Sequence, residues 1–301
     1  MDIQQLNQDY GIADSLTFTE QESGFPLIEI TNGQAQAVIS VYAGHVLSYR
    51  PVDAATDVIF VSDLVAFKAG KAIRGGVPIC WPWFGPDPDG QGRPNHGFVR
   101  DRLWQVISTE TTTTGETRVI LGLNDTPETR KIWDYAFELA IAITVGKTLT
   151  IELITRNTGD KAFTITQAMH TYFKIGDISQ TKVVGLDNCD YLDKVDGGKQ
   201  KNQLGEVAIA SEVDRVYLNA PSELVIQDVA LDRTIKISSQ NSKTAIVWNP
   251  WIEKAAAMGD LGNENYKTMI CVETANAADD TIEIMPHSDF QLSATYALEA
   301  L

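Results

Sequence analysis

Residues 127–175 read PETRKIWDYAFELAIAITVGKTLTIELITRNTGDKAFTITQAMHTYFKI, and this stretch carries the clearest indication of the fold. Gly-containing breaks at 145–147 and 157–159 divide it into short runs rich in Val, Ile and Thr, which favour β-strands. Residues 148–155 and 162–168 alternate polar and apolar side chains, as half-buried strands do. The best helical candidate is 127–133, where the proline would occupy the first turn. The stretch therefore predicts antiparallel strands joined by short turns.

The same pattern continues on both sides of this stretch. Short strand-like runs recur at intervals of roughly 8–12 residues, and Asn32-Gly33 and Thr114-Gly115 are typical of tight hairpin turns. We find no repeat of fixed period, no low-complexity tract and no Ser/Gly linker. The expected fold is therefore all-β, with large antiparallel sheets in one sandwich domain over residues 1–301. Residues 1–24 are expected to form a leader with at most one short helical turn.

The composition excludes several classes of function. The chain has 301 residues, 44% of them hydrophobic and 21% charged, which suits a globular protein with a substantial core. A formal charge of −16 argues against nucleic acid and anionic membranes as partners, since both require a basic surface. A small anionic substrate is still compatible, because a few arginines can form a local positive pocket. The same charge makes copies of the chain repel one another, so we expect a monomer or a weak dimer.

The cysteines and the N-terminal residues indicate the compartment. Cys80, Cys189 and Cys271 are spaced too widely for a zinc motif, and their odd number suits reduced thiols. The first residues lack the basic and apolar regions of a signal peptide, and no apolar run approaches the length of a membrane span. We therefore expect a cytoplasmic protein.

Residues 73–104, IRGGVPICWPWFGPDPDGQGRPNHGFVRDRLW, form the most unusual segment of the chain. It is too rich in Gly and Pro for a regular helix or a central strand, and too aromatic for a slack linker. Long ordered loops of this kind are often functional. Arg74, His96 and Arg100 are therefore candidates for side chains held over a binding surface. The alternative is a well-packed surface loop whose arginines only bond carbonyl groups.

A histidine and a glutamate outside this loop are candidates for acid–base chemistry. His170 ends an apolar strand in QAMHTYFKIGD, and imidazole titrates near working pH. Glu273 lies in the apolar run ICVET, where a carboxylate is unfavourable unless it is paired. The alternative for Glu273 is a core salt bridge to Lys254 or an arginine. For His45 a packed or rim position and for His287 a turn position are the preferred interpretations.

The sequence carries no nucleotide-binding, zinc, calcium or nucleophile motif. We therefore expect chemistry performed by side chains alone, without metal or cofactor.

Six motifs resemble, in order along the chain, the D-hexose-6-phosphate mutarotases (glucose-6-phosphate 1-epimerases) of the aldose 1-epimerase, or galactose mutarotase-like, superfamily. They are RGGVPICWPWFGP (74–86), NHGFVRDRLW (95–104), MHTYFKIGD (169–177), EVDRVY (212–217), WNPWIEKAAAMGD (248–260) and CVETAN (271–276). The resemblance implies a β-supersandwich of large antiparallel sheets with few short helices and a sugar site on a concave face. It also implies a reaction without a cofactor, the interconversion of the α and β anomers of a hexose 6-phosphate.

The resemblance implies roles for particular residues. His170 matches the general acid that protonates the ring oxygen, and Glu273 matches the general base that takes the proton of the anomeric hydroxyl. Arg74 and Arg100 match the arginines that reach the 6-phosphate. Three further matches concern contacts with the sugar: Asn95 as an amide contact, His96 as a hydrogen-bonding group near the ring oxygen, and Asp214 as a carboxylate that holds hydroxyls.

Two positions depart from the family pattern. His287 follows Pro286 where a turn glycine is expected, which concerns stability more than chemistry. The loop 86–94 is short and rich in Asp and Gly, so it affects which phosphorylated hexose fits.

Trp81 and Trp83 either form a platform for the sugar or anchor the loop, and the fixed geometry of the neighbouring prolines favours anchoring.

Three other functions compete with a hexose 6-phosphate mutarotase acting on glucose 6-phosphate. A mutarotase of unphosphorylated aldoses would leave Arg74 and Arg100 without a purpose. A non-catalytic sugar-phosphate-binding or sensing protein would need no matched acid and base. A glycosidase would need two carboxylates beside the scissile bond, and the sequence offers one strong buried candidate.

Overall fold

The computed structural model describes residues 1–21, 24–65 and 67–301. Its α-helices are α1 (Ile3–Tyr10), α2 (Thr129–Ile132) and α3 (Trp251–Ala257). Its strands are β1 (Leu16–Glu20), β2 (Pro26–Thr31), β3 (Ala35–Ser40), β4 (His45–Pro51), β5 (Ile79–Cys80), β6 (Gln105–Thr111), β7 (Thr117–Asn124), β8 (Phe137–Val145), β9 (Thr148–Asn157), β10 (Phe163–Ile165), β11 (Gln167–Met169), β12 (Tyr172–Lys174), β13 (Thr181–Val184), β14 (Asp190–Asp193), β15 (Lys199–Asn202), β16 (Val207–Ala208), β17 (Val213–Leu218), β18 (Glu223–Asp228), β19 (Arg233–Gln240), β20 (Thr244–Asn249), β21 (Met269–Asn276), β22 (Ile282–Ile284) and β23 (Asp289–Ala300).

Two large antiparallel sheets dominate the fold. A nine-stranded sheet has the order β16-β13-β18-β19-β23-β9-β8-β7-β6. An eight-stranded sheet has the order β15-β14-β17-β20-β21-β11-β5, with β12 paired to β21. The described residues also form a four-stranded sheet, β1-β2-β3-β4, and a two-stranded sheet, β10-β22. The all-β prediction is confirmed, as are the hairpin turns at Asn32-Gly33 and Thr114-Gly115.

The two large sheets share one apolar core, because alternate residues of a strand face opposite sides of its sheet. Strand β21 is buried along its whole length. Its Ile270 and Val272 join the main core, whereas Cys271 and Ala275 belong to a smaller apolar cluster on the opposite face. Glu273, two residues after Cys271, shares this opposite face. The alternation of β21 therefore directs the carboxylate away from the core between the sheets.

Several predicted elements differ in the structure. Residues 1–24 do more than form a leader with one helical turn, since α1 and β1 lie there and β1 pairs with β2. Asp2 caps α1 by accepting from the Gln4 amide at 2.8 Å, and Asn7 bonds both backbone groups of Phe18. The helix predicted at 127–133 is present as the shorter α2, but Pro127 precedes the N-cap residue Glu128 instead of occupying the first turn. The strand predicted over 162–168 is divided between β10 and β11, which belong to different sheets.

The loop 73–104 is anchored by its tryptophans, as predicted. The Trp81 indole is fully buried, and its Nε1–H donates to the Thr155 hydroxyl of β9 at 2.9 Å. Trp83 donates to the Pro94 carbonyl at 3.0 Å, and the Arg93 guanidinium lies 4.3 Å from the Trp83 ring centre. The Trp81 contact fixes the loop against the nine-stranded sheet, and the Trp83 contacts hold two parts of the loop together.

Candidate active site

One cleft of about 430 Å³ gathers every residue that was predicted to act on a ligand. It opens on the face of the eight-stranded sheet that carries Glu273. The predicted residues that line it are Arg74, Asn95, His96, Arg100, His170, Asp214 and Glu273. The lining also includes residues that were not assigned to the site from the sequence: Phe84, Tyr172, Ile246, Trp248, Lys254 and Met258. A larger cavity of about 660 Å³ lies elsewhere, beside residues 51–56 and Arg233, but its described lining includes no histidine.

The histidine and the glutamate are brought together by strand pairing. His170 lies between β11 and β12, and both strands pair with β21, which carries Glu273. The His170 Nδ1 atom is 3.3 Å from the Glu273 Oε1 atom. Both side chains are strongly buried, with 13% and 1% of their surfaces exposed. The register of three strands therefore fixes the separation of the two groups.

Burial sets the protonation of this pair. It raises the pKa of Glu273 well above its ordinary value, and the nearby Asp214 carboxylate adds to the effect. Burial lowers the pKa of His170 well below its ordinary value, and His96, Arg100 and Arg74 lower it further. Both shifts favour the neutral forms.

The pair retains hydrogen-bonding capacity for a ligand. Although His170 and Glu273 lie close together, their contact is not aligned as a hydrogen bond. In the described part of the chain, the His170 Nδ1 and Glu273 Oε2 atoms are buried without a hydrogen-bond partner. Buried polar groups are rarely left unpaired, and the exceptions cluster where a ligand binds or a reaction occurs.

The second histidine of the cleft is held in one tautomer. The His96 Nδ1 atom accepts a hydrogen bond from the Gly85 amide at 3.3 Å, so Nε2 carries the proton. Burial lowers the pKa of His96 to about 4, with Arg100 and Arg74 contributing. Its ring centre is 5.8 Å from that of His170. His96 is thus a neutral hydrogen-bond donor beside the acid–base pair.

Two arginines line the cleft close to both histidines. Arg74 donates from Nε to Asp260 at 3.1 Å and from Nη1 to the Tyr172 hydroxyl at 3.0 Å. Arg100 donates from Nη2 to the Asn95 carbonyl at 3.0 Å. Each arginine lowers the pKa of both His96 and His170. Their positive charges therefore reach the same part of the cleft. The alternative that both arginines only bond carbonyl groups is wrong for Arg74.

A third cation lies near the carboxylate of Asp214. Lys254, on α3, donates to Glu212 at 2.7 Å. The alternative interpretation of Glu273 as the salt-bridge partner of Lys254 is therefore wrong. Burial raises the pKa of Asp214, and Lys254 and Lys194 oppose that shift.

The aromatic lining comes from residues other than the loop tryptophans. The Tyr172 ring stacks on His170 with centres 5.0 Å apart and an angle of 11° between planes. Trp248 meets His170 edge-on at 5.9 Å. Trp81 and Trp83 are absent from the described lining. The run WNPW was a usable signal for Trp248, because it places a large aromatic residue at the end of an apolar strand, directly before a turn.

No group of three or more His, Cys, Asp or Glu side chains in residues 1–21, 24–65 and 67–301 is arranged to hold a metal ion. None of the helices described there is long and apolar enough to cross a membrane.

The large antiparallel sheets and the cleft with its histidine and glutamate define a protein of the galactose mutarotase-like class. At the level of the fold, the structure is similar to the crystal structure of a galactose mutarotase-like protein from Clostridium acetobutylicum, with a TM-score of 0.74 and 14% identity over 98% of this chain and 100% of the other. The chain belongs to the aldose 1-epimerase family, whose model matches residues 26–297.

Two closer similarities refine this assignment. The chain is 39% identical over 255 residues to a protein of Escherichia coli (strain K12) named "Putative glucose-6-phosphate 1-epimerase", which covers 84% of each chain. It is also similar to the crystal structure of "a putative mutarotase (YeaD)" from Salmonella typhimurium, with a TM-score of 0.90 and 33% identity over 97% of this chain and 96% of the other.

Proposed function

We propose that this protein interconverts the α and β anomers of a hexose 6-phosphate, with glucose 6-phosphate as the preferred candidate substrate. The observation that carries the proposal is the 3.3 Å contact of His170 with Glu273 on a wall where Arg74 and Arg100 both act. An acid–base pair suits ring opening, and two guanidinium groups suit a phosphate monoester. The name of the Escherichia coli relative supports the same substrate.

The proposed reaction moves one proton on each side of the sugar ring. Glu273 takes the proton of the anomeric hydroxyl, the bond from C1 to the ring oxygen breaks, and His170 protonates that oxygen. The resulting aldehyde rotates about the C1–C2 bond. The ring oxygen then attacks the other face of C1, while His170 takes back its proton and Glu273 returns the other. Acid–base groups of this kind each contribute roughly 10²- to 10⁴-fold to a rate.

The phosphate group would also change the acidity of His170. Burial lowers the pKa of His170, and the charges of Arg100 and Arg74 lower it further. A phosphate dianion bound by the arginines offsets their charge, so the pKa of His170 rises towards its ordinary value. The ring-opening step needs a protonated His170 and an ionised Glu273, and the short distance between them allows one proton to be redistributed. Phosphate binding thus favours protonation of His170, which is one half of the state that ring opening requires.

The remaining side chains of the cleft fit contacts with a bound hexose. His96 can donate from Nε2 towards the ring oxygen, because its Nδ1 atom is already bonded to Gly85. Asp214 can accept from sugar hydroxyls, and Asn95 lies on the rim beside Arg100.

We place the enzyme in the cytoplasm as a monomer or weak dimer, with the sugar phosphate as its partner and without nucleic acid or membrane.

Anomer exchange measured by saturation-transfer NMR tests the proposal. The wild type is compared on glucose 6-phosphate, free glucose and free galactose, each corrected for the uncatalysed rate. We expect fast exchange on the phosphate ester alone. Equal exchange on free sugars would assign the protein to unphosphorylated aldoses, and binding without exchange would make it a sugar-phosphate sensor.

A matched pair of histidine variants completes this experiment. His170→Asn is expected to abolish the enhancement while glucose 6-phosphate still binds. The control is His287→Asn at an exposed turn, where φ is 58° and asparagine is well tolerated. Preserved exchange in His170→Asn would refute the role of that residue.

A further inference from the structure

Arg74 is held from two sides before any ligand arrives. Its Nε–H donates to the Asp260 carboxylate at 3.1 Å, and its Nη1 donates to the Tyr172 hydroxyl at 3.0 Å. Asp260 lies 186 residues further along the chain, in the turn that follows α3. The Arg74 side chain is 27% exposed and that of Asp260 is 41% exposed. This contact therefore ties the loop 73–104 to the segment that carries Lys254 and Met258 into the cleft.

The two contacts leave part of the guanidinium group unused. Arginine offers five N–H donors in a rigid plane, and Asp260 and Tyr172 occupy one on the Nε edge and one on Nη1. The remaining donors are on the Nη atoms. Because the group is planar, fixing its Nε edge also fixes the directions of those donors. An arginine oriented in advance loses less conformational entropy when it binds an anion.

We propose that Asp260 is a positioning residue that orients Arg74 for the phosphate monoester of the substrate. This inference rests on the proposed function and adds to it a residue that contacts Arg74 instead of the sugar. Asp260 acts through its oxygen as a hydrogen-bond acceptor, while Nη donors remain for the phosphate. The opposite arrangement, in which the carboxylate occupies the site that the phosphate needs, predicts tighter phosphate binding when the carboxylate is removed.

Two substitutions separate these arrangements. Asp260→Ala removes the acceptor, whereas Asp260→Asn keeps an acceptor oxygen and removes the negative charge. The matched control is Glu264→Ala, which removes a carboxylate from the same segment where it pairs with Lys267 and not with Arg74. Affinity is measured by isothermal titration calorimetry with inorganic phosphate as the probe, at fixed ionic strength. Steady-state anomer exchange on glucose 6-phosphate gives KM and kcat separately.

We expect Asp260→Ala to raise the Kd for phosphate and the KM for glucose 6-phosphate by about fivefold, with kcat unchanged. Asp260→Asn is expected to stay within about twofold of the wild type, because the acceptor persists, and Glu264→Ala to match the wild type. Unchanged or tighter binding in Asp260→Ala would overturn the proposal, as would an Asp260→Asn variant as weak as the alanine variant. A fall in kcat would indicate a structural role and also overturn it.

The proposed function and this inference fail separately. Absence of turnover by the wild type on glucose 6-phosphate refutes the proposed function. The ratio of the phosphate Kd of each variant to that of the wild type tests the role of Asp260 and requires no turnover. Wild-type protein that does not bind phosphate would overturn the positioning role.

Discussion

Glu273→Gln is the substitution with the sharpest set of expected effects. Glutamine has nearly the same shape as glutamate, but it cannot accept the proton of the anomeric hydroxyl. Loss of a positioned general base lowers kcat by roughly 10²- to 10⁴-fold, which corresponds to about 3–5 kcal/mol of activation free energy. Substrate affinity should change little, because the phosphate contacts lie with Arg74 and Arg100. Saturation-transfer NMR on glucose 6-phosphate measures this effect.

The same substitution should make the protein more stable at neutral pH. The folded state raises the pKa of Glu273 above its ordinary value of 4.5, because the carboxyl group is buried and faces Asp214. The stability contributed by its protonated form is fully present below pH 4.5 and is lost as the pH rises towards the folded pKa. Within that window the wild type loses about 1.4 kcal/mol per pH unit relative to a group that does not titrate. Glutamine removes this loss.

Urea unfolding from pH 5 to pH 8 measures the difference in stability. The control is Glu138→Gln, at an exposed ion pair with Arg156 on the nine-stranded sheet, and it should alter neither turnover nor the pH slope. Turnover of Glu273→Gln within tenfold of the wild type would refute its role as base. If Glu273→Gln and the wild type showed the same pH dependence of the free energy of unfolding, the argument from burial would be refuted.

Three further perturbations test other parts of the structure. Arg74→Ala should raise the KM for glucose 6-phosphate about 10- to 100-fold and leave the slow exchange of free glucose unchanged; equal losses on both sugars in the NMR assay would contradict phosphate recognition. Burial lowers the pKa of His45 from 6.5 to about 4, so about 3 kcal/mol of stability is present above pH 6.5 and is lost as the pH falls to 4. His45→Gln, which can still donate to the Gly75 carbonyl that His45 contacts at 2.8 Å, should flatten this acid limb in thermal melts; an unchanged limb would assign the effect to other groups. Gly97→Ala places a Cβ atom 1.8 Å from the Trp81 carbonyl oxygen at a φ of 76°, so the free energy of unfolding should fall by about 3 kcal/mol or more; an unaltered urea midpoint would show that the loop accommodates the group.

The strand pattern was predictable where a strand has one core face and is joined to its neighbour by a short hairpin. Alternation in β9 and the Asn-Gly and Thr-Gly turns are local features, and they appear in the structure where the sequence places them. The N-terminal elements were harder to predict. Helix α1 is only eight residues long with Leu6 as its buried residue, so its apolar pattern is weak. Its attachment to β1 through Asn7 depends on a tertiary contact.

The candidate site shows a similar division. His170 and Glu273 could be singled out by residue type in apolar runs, but their contact depends on β11 and β12 pairing with β21, about a hundred residues away in the chain. Lys254 was interpreted only as a salt-bridge partner, although residues 253–257, EKAAA, are strong helix formers and belong to α3. The contact of Asp260 with Arg74 could not be predicted, since no local pattern links a turn aspartate to an arginine in another loop.

The His–Glu pair and the four residues of the loop 73–104 that are proposed to contact the sugar phosphate belong to different kinds of backbone. Glu273 lies on a strand inside a sheet and His170 lies between two strands that pair with it, whereas Arg74, Asn95, His96 and Arg100 lie in one long loop. Loops accept insertions and exchanges that a central strand does not. Descendants of such a chain can therefore acquire new sugar preferences by remodelling residues 73–104 while inheriting the same ring-opening step. For protein engineering, this loop is the place to graft recognition of another phosphorylated aldose.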